Sequence, residues 1–320
     1  ETGTAVEKAT GVINISVLGD SITAFENYSN GYAAADANST LANGRVWFPM
    51  VGRQYDSEGN PIDGKQGEIT KAEHIWVYKA AEKLGANILV NNSWSGSAVH
   101  FWQYGAPGMW KDRVVQLHDN TGANSGQEPD IIVVYMGTND FKYTEKVNGS
   151  YADVGTGTPY QSVLGTFGEV DFDALIIDNG DGTFTYAEPQ NTMEAYAISF
   201  HKMQQRYPNS EIYVMTLLPF RVGKNQPTDF NEDIRQMVDY YNVHLIDIED
   251  IGIVSDRTNF EYLMEDWLHP NLKGMEVLGG TPEETIVFED SLHGIAAGRA
   301  AGAKVIGLTT TNKSEVLTPL

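Results

Sequence analysis

The segment VINISVLGD, residues 12–20, is an apolar run that leads directly into Ser21. Its apolar residues are mostly β-branched or aliphatic, and it lacks the regular alternation of a strand with one face in water. Such a run predicts a strand buried on both faces, as in a parallel sheet. Four similar runs follow it, at residues 86–93, 130–137, 211–219 and 243–250.

Helix-like stretches separate these predicted strands. Residues 72–85 end in a glycine, and residues 193–208 end in a proline, both of which are common after the last turn of a helix. Strands that alternate with helices predict an α/β fold, here a doubly wound, flavodoxin-like and mainly parallel five-stranded sheet flanked by helices. In such sheets, ligands bind at the carboxyl ends of the strands.

Two stretches are too long to be ordinary connections, residues 24–71 and 141–190. Both are rich in Gly, Tyr and Asn, and both follow a predicted strand. We therefore expect both at the ligand-binding edge, either as decoration or as walls of a substrate pocket. Within the second, residues 175–186 predict a hairpin that turns on Asn-Gly-Asp-Gly.

Composition narrows the classes of function. The 320 residues carry a formal net charge of −22, which argues against binding to nucleic acid or to anionic lipid. No apolar run approaches the roughly 20 residues that span a bilayer. There is no cysteine, which excludes thiol nucleophiles, thiolate metal sites and disulfides. The seven histidines are scattered, so neither a metal nor another cofactor is expected.

The first strand runs into GDSIT, residues 19–23. Ser21 then stands where a strand ends and a helix is expected to begin, and the backbone N–H groups there can stabilise a developing oxyanion. That position suits a nucleophile. The same residues also fit a helix N-cap, so the motif alone leaves both interpretations open.

The next two strands end in residues that can donate hydrogen bonds. Gly96, in NNSWSGS, can present its N–H to a ligand without a Cβ in the way. Asn139, in GTND, offers a side-chain amide at the same edge of the sheet. Each by itself is also an ordinary turn residue.

After the fifth strand, EDWLHPN places Asp266 three residues before His269. On a turn or helical arc this spacing puts both side chains on one side. The carboxylate can then hold the imidazole in the tautomer that a general base requires. Pro270 is predicted as the first helical residue, which leaves His269 at the mouth of a helix.

These four motifs, in this order and each after a strand, resemble the SGNH (GDSL) hydrolase family over roughly residues 11–279. The resemblance implies that Ser21 is the nucleophile, His269 the base and Asp266 its orienting partner. It also implies an oxyanion hole made of the Ser21 and Gly96 N–H groups and the Asn139 amide. The motif lacks the second glycine of the G-x-S-x-G elbow, so this is not a conventional α/β-hydrolase.

Residues 281–311 resemble a fragment of a haloacid-dehalogenase (HAD) type phosphatase, with Glu289 and Asp290 in the place of its Mg²⁺-binding acidic pair. Those enzymes need an aspartate nucleophile in a D-x-D-G-T block. The one candidate block has Asn179 at that place, so phosphatase activity is not expected.

We therefore predict a hydrolase domain over residues 1–280. Residues 281–320 are predicted as a C-terminal extension that is not an independent catalytic domain. The apolar runs of the extension are expected either to pack on the edge of the sheet or to flank a Gly/Ala-rich helix that mediates association. The oligomeric state is not predicted.

SGNH hydrolases include lipases, thioesterases and carbohydrate O-acetylesterases. Aromatic residues concentrate in the segments after the first two strands, and they serve either as platforms for sugar rings or as loop packing. The expected substrate contacts are Asp20, Trp47, Trp94, Trp102 and Tyr104.

The sequence thus predicts a serine esterase acting on small, chiefly acetyl, esters of carbohydrate, with an acetylated glycan as its partner. NNSWSGS also resembles secreted bacterial members, so a secreted or cell-surface location is expected. A lipase or lysophospholipase-type esterase and a non-catalytic glycan-binding module remain as alternatives.

Overall fold

The computed structural model describes the greater part of the predicted hydrolase domain and short strand segments outside it. Described with their side chains are residues 12–24, 69, 72–94, 96–100, 108–119, 126–141, 164–218, 227–249, 263–264 and 268–280. Described by their backbone alone are residues 54–55, 61–62, 144–147, 150–153, 286–289 and 304–307.

A five-stranded parallel sheet forms the centre of the fold. Its strands are β1 (Asn14–Gly19), β2 (Asn87–Ser93), β3 (Ile131–Tyr135), β4 (Glu211–Met215) and β5 (His244–Ile246). Their order in the sheet is β5-β4-β3-β1-β2, and every neighbouring pair is parallel. Each predicted apolar run contains one of these strands, so the predicted doubly wound sheet is confirmed.

Burial of the strands follows their place in the sheet. β1 and β3 lie at its centre, and their residues from Ile15 and Ile132 onward are buried, as the absence of alternation predicts. β5 is an edge strand, and its residues His244 and Leu245 are exposed. Burial on both faces is therefore a wrong prediction for β5.

The described α-helices of seven or more residues flank the sheet: α1 (Trp76–Leu84), α2 (Thr192–Arg206), α3 (Thr228–Tyr241) and α4 (Leu272–Leu278). Two shorter ones span Thr138–Phe141 and Phe172–Leu175. α1 ends at Gly85, whose φ of 62° is the left-handed conformation of a helix C-cap. α2 begins after Asn191, whose side chain accepts the Glu194 N–H at 2.9 Å. Within the described part of the chain, no helix is both long and apolar enough to cross a membrane.

The long stretch 141–190 contains two hairpins. Thr144–Val147 pairs with Ser150–Asp153, and Ile176–Asp178 pairs with Phe184–Tyr186, the second as predicted. One part of this stretch, residues 167–186, does not lie where we expected it. Phe172 stacks on Tyr240 with ring centroids 4.0 Å apart, near the end of α3 and thus next to the amino end of β5.

The second hairpin follows the same course along the outside of the helices. The ring of Phe184 lies 4.4 Å from that of His201, in the later half of α2. Residues 167–186 therefore lie along α2 and α3 rather than at the ligand-binding edge, which corrects the prediction for this part. Of the first long stretch, 24–71, the structure describes little beyond the short pair Gln54–Tyr55 and Pro61–Ile62.

In the C-terminal extension, Ile286–Glu289 and Lys304–Gly307 pair in parallel with each other. They form a two-stranded sheet of their own rather than a continuation of the central sheet. The resemblance of this segment to a phosphatase fragment stays a prediction.

Candidate active site

Three of the predicted site residues meet at the carboxyl edge of the sheet. Ser21 follows β1, Gly96 follows β2 and Asn139 follows β3, and all three are buried. They lie side by side because Gly19, the last residue of β1, is in register with Ser93 of β2 and Tyr135 of β3.

Ser21 is in contact with the histidine predicted as its base. Its Oγ lies 2.8 Å from Nε2 of His269, although 248 residues separate the two along the chain. When Nε2 carries no proton, the Ser21 hydroxyl donates to it, which is the arrangement in which an imidazole can take the hydroxyl proton. Asp266 lies outside the described residues, so its contact with His269 stays a prediction.

The segment that carries His269 differs from the prediction in one respect. α4 begins at Leu272, and its N-cap is Asn271, whose side chain accepts the Gly274 N–H at 3.0 Å. Pro270 instead pairs with Met264 in an isolated antiparallel bridge. Pro270 is therefore not the first helical residue, because the asparagine after it supplies the cap.

A tight turn presents Ser21. The Asp20 carboxylate accepts the Ile22 N–H at 2.9 Å, and the Asp20 carbonyl accepts the Ala24 N–H at 2.9 Å. Asp20 is completely buried. Its carboxylate therefore holds the turn, and its assignment as a substrate contact stays a prediction.

The aromatic residues proposed as sugar platforms are described only in part. Trp94 is 6% exposed, and its indole N–H donates to Oδ1 of Asn92 at 3.2 Å. The ring is thus largely buried, and its role as a sugar platform stays a prediction. Trp47, Trp102 and Tyr104 lie outside the described residues.

The two other donors predicted for the oxyanion hole are joined through one residue. Gly96 has a φ of 75°, a conformation that favours glycine. Its neighbour Ser97 accepts the Asn139 side-chain amide on its carbonyl oxygen at 2.8 Å. The amide nitrogen carries two hydrogens, and the second is the one predicted to reach the oxyanion.

Asp140 belongs to the GTND motif, but we assigned it no role from the sequence. It connects the end of β3 to the loop after β2 and to the start of α2. Its carboxylate accepts the N–H groups of Val99 at 2.9 Å and His100 at 3.2 Å. It also accepts the Thr192 hydroxyl at 3.1 Å, from the first residue of α2. Burial raises the pKa of Asp140 to about 6, against the opposing effect of these hydrogen bonds.

Arg113 is a further buried charge beside the site that sequence reasoning missed. It lies in a short 3₁₀ turn, Arg113–Val115, and its Nη2 donates to the carbonyl oxygen of Gly19 at 3.0 Å. Burial lowers its pKa to about 9, and the nearby Asp20 charge opposes that shift. An arginine is usually exposed, and nothing in the local pattern marks this one as buried.

The described part of the chain contains no group of three or more His, Asp or Glu side chains that could hold a metal ion. The chemistry available at the site is that of a serine hydroxyl, an imidazole and neighbouring amide donors.

Solved structures share this fold. A protein from Bacteroides ovatus ATCC 8483 described as a GDSL-like lipase is 22% identical, with a TM-score of 0.50 over 84% of this chain and 95% of that one. A second, from Bacteroides uniformis ATCC 8492, is 20% identical, with a TM-score of 0.51 over 84% and 93%. At these identities the likeness shows the fold alone.

A carbohydrate esterase family 2 enzyme with a carbohydrate binding domain, from Corynascus thermopiles (Myceliophthora fergusii), is more distant. It is 17% identical, with a TM-score of 0.46 over 94% of this chain and 69% of that one, which is too low to argue from. The family match is independent of these structures: the GDSL-like Lipase/Acylhydrolase family matches residues 17–277. The match covers most of the chain and contains all four hydrolase motifs, so this protein belongs to the GDSL-like lipase/acylhydrolase family and is an ester-bond hydrolase.

Proposed function

We propose that this protein is a serine esterase that hydrolyses small acyl esters, chiefly acetyl groups on carbohydrate, through an acyl-enzyme on Ser21. The observation that carries the proposal is the 2.8 Å contact between Ser21 Oγ and His269 Nε2. It lies at the carboxyl edge of the sheet, where ligands bind in folds of this class, in a chain of an ester-hydrolase family.

The proposed reaction begins when His269 Nε2 takes the hydroxyl proton of Ser21 as Oγ attacks the ester carbonyl carbon. The backbone N–H groups of Ser21 and Gly96 and the Asn139 amide receive the oxyanion. His269 then gives the proton to the leaving alkoxide, and the acyl group stays on Ser21. Water, activated by the same imidazole, releases the acid. In this scheme Asp266 orients the imidazole.

The choice of a small acyl group on a sugar rests on sequence features. No long apolar segment is present to form a lid over a lipid chain, and the net charge of −22 does not attract anionic headgroups. The aromatic residues outside the described part, Trp47, Trp102 and Tyr104, remain the proposed platforms for a sugar face.

A series of esters with one chromogenic leaving group tests the acyl preference. We expect kcat/KM to be highest for the acetyl ester and to fall toward octanoyl. A rise with chain length would instead support a lipase-type esterase. Acetate release from a panel of acetylated glycans, with their deacetylated forms as blanks, then tests the sugar.

A different experiment distinguishes an esterase from a glycan-binding module without turnover. A fluorophosphonate probe reacts only with an activated serine, and we expect mass spectrometry of the digested protein to place the label on Ser21. A protein that binds the glycans but is not labelled would support the binding-module alternative.

A further inference from the structure

The carbonyl oxygen of Gly19 lies two residues before the proposed nucleophile and receives three hydrogen bonds. The donors are the Trp94 backbone N–H at 3.1 Å, the Ser97 hydroxyl at 3.2 Å and Arg113 Nη2 at 3.0 Å. A carbonyl oxygen has two lone pairs, so three donors are more than it ordinarily receives. They come from the end of β2, from the loop that follows it and from a separate 3₁₀ turn. The strand end that carries Ser21 is thus held from three directions.

Ser97 connects this carbonyl to the rest of the oxyanion hole. Its hydroxyl donates to the Gly19 carbonyl oxygen, and its own carbonyl oxygen accepts a hydrogen bond from the Asn139 amide at 2.8 Å. Its chain neighbour is Gly96. A displacement of the Gly19 carbonyl would therefore be transmitted through one residue to both remaining oxyanion donors.

Arg113 fixes the position of that carbonyl. Its Nη2 also donates to the Asn92 carbonyl at 2.6 Å, and its Nε donates to the Asn92 side-chain oxygen at 3.1 Å. The rigid, planar guanidinium thereby holds the ends of β1 and β2 at a set separation. Hydrogen bonds from a charged donor are also stronger than those from a neutral one.

Stability alone does not account for this arginine. It is 2% exposed, and within the described residues its Nη1 has no hydrogen-bond partner. A buried guanidinium with an unpartnered nitrogen carries a large desolvation cost, and a well-packed apolar side chain of similar volume often stabilises a fold as well or better.

We propose that Arg113 and Ser97 are positioning residues of the esterase site, which hold the Gly19 carbonyl so that Ser21, Gly96 and Asn139 converge on one oxyanion. The inference rests on the proposed function, because it assigns these residues a task within that reaction. Neither residue touches the substrate in this account.

Arg113→Lys tests the proposal most directly. Lysine keeps the charge but cannot span the Gly19 oxygen and both Asn92 oxygens with a planar fork. We expect kcat for p-nitrophenyl acetate to fall roughly 10- to 100-fold with little change in KM, since small displacements of reacting groups have effects of this size. The rate of fluorophosphonate labelling is expected to fall in parallel.

Tyr241→Phe is the matched control. It removes another buried hydrogen bond, from the Tyr241 hydroxyl to the Ala197 carbonyl at 2.8 Å, between α3 and α2 and away from the carboxyl edge. We expect it to lower the melting temperature and leave kcat unchanged. If Arg113→Lys likewise lowers the melting temperature without a fall in kcat, Arg113 is only structural and the proposal is overturned.

Ser97→Ala keeps the proposal testable if Arg113→Lys does not fold. It removes the hydroxyl bond to Gly19 and leaves the carbonyl that holds Asn139, so a fall in kcat of about 10-fold at constant KM is expected. An unchanged kcat overturns the proposal. Labelling of the wild-type protein separates the failure of the proposed function from the failure of the positioning role. If Ser21 is not labelled, the proposed function fails. If Ser21 is labelled while both variants keep the wild-type kcat, only the positioning role fails.

Discussion

The side-chain amide of Asn139 donates a 2.8 Å hydrogen bond to the carbonyl of Ser97, and this contact joins the end of β3 to the loop after β2. Asn139 is completely buried, so its amide is held in one orientation. One of its two N–H groups is used in this way. The other is the group that we assign to the oxyanion, and its direction is set by the first.

Asn139→Ala is expected to lower kcat for p-nitrophenyl acetate by about 10² to 10³, the usual effect of removing one oxyanion donor. KM should change little, because the bond to the oxyanion forms in the transition state. Asn231→Ala is a suitable control, since Asn231 is equally buried and bonds both the N–H and the carbonyl of Leu217. It should lower the melting temperature without a comparable fall in kcat. Equal effects of the two substitutions on kcat would contradict the assignment.

The Asp140 carboxylate predicts a specific pH dependence of stability. Its pKa is raised from 3.8 to about 6 by burial, so the folded state binds this proton more tightly than the unfolded state does. The charged carboxylate therefore opposes folding, and this opposition disappears as the pH falls through the folded pKa.

Urea unfolding of the wild-type protein and Asp140→Asn across this range checks the sign. Between about pH 7.5 and about pH 5, the free energy of unfolding of the wild type should rise by about 1 kcal/mol relative to that of Asp140→Asn. The variant is expected to be less stable overall, because its amide group cannot accept both the Val99 and His100 N–H groups. Parallel pH profiles for the two proteins would show that Asp140 does not titrate in this range.

Substitution of Gly137 is expected to affect both stability and activity. Its φ of 105° is unfavourable for other residues, and an added Cβ would lie 2.8 Å from the Tyr196 hydroxyl oxygen. Gly137→Ala should therefore lower the free energy of unfolding by roughly 2 to 4 kcal/mol. It should also lower kcat, because Asn139 is two residues away.

Gly180→Ala isolates the backbone contribution. Gly180 also has a positive φ, of 78°, but an added Cβ there would have no atom within 4 Å. We expect a loss of about 1 kcal/mol and no change in kcat. Equal losses of stability for the two variants, measured by urea unfolding, would show that the Tyr196 contact has no effect.

Truncation after Gly280 tests whether the C-terminal extension takes part in catalysis. The strand segments Ile286–Glu289 and Lys304–Gly307 pair with each other, and α4 ends before them. The truncated chain also keeps the bond from Lys83 to the Gly279 carbonyl. We expect kcat/KM for p-nitrophenyl acetate to be unchanged. A large loss of kcat/KM with a wild-type circular dichroism spectrum would assign the extension a part in the site.

The central sheet was predictable because its residues report directly on their surroundings. An apolar run such as Ile131–Tyr135 can be stable only when both faces are covered, and helices after each strand supply that cover. β5 departs from this pattern because it is an edge strand, and the amino-acid composition of a strand does not determine its position in the sheet. The course of residues 167–186 was likewise decided by ring contacts with α2 and α3, which local sequence does not reveal.

At the site, the residues with reactive or donor groups were predictable, and those that hold them were not. Ser21 and His269 lie in short motifs whose residue types indicate their chemistry. The burial of Arg113 depends on contacts with Gly19 and Asn92, which are 94 and 21 residues away along the chain. The cap at Asn271 was available to sequence reasoning, since asparagine is among the residues most favoured at a helix N-cap.

The central claim is that Ser21 forms the acyl-enzyme with His269 as its base, and Ser21→Ala tests it most directly. The substitution removes the 2.8 Å hydrogen bond to His269 Nε2, and the residue sits at the rim of the sheet, so the fold should survive. We predict that Ser21→Ala keeps the wild-type circular dichroism spectrum and melting transition while turnover of p-nitrophenyl acetate falls to background. Turnover near the wild-type level would contradict the account.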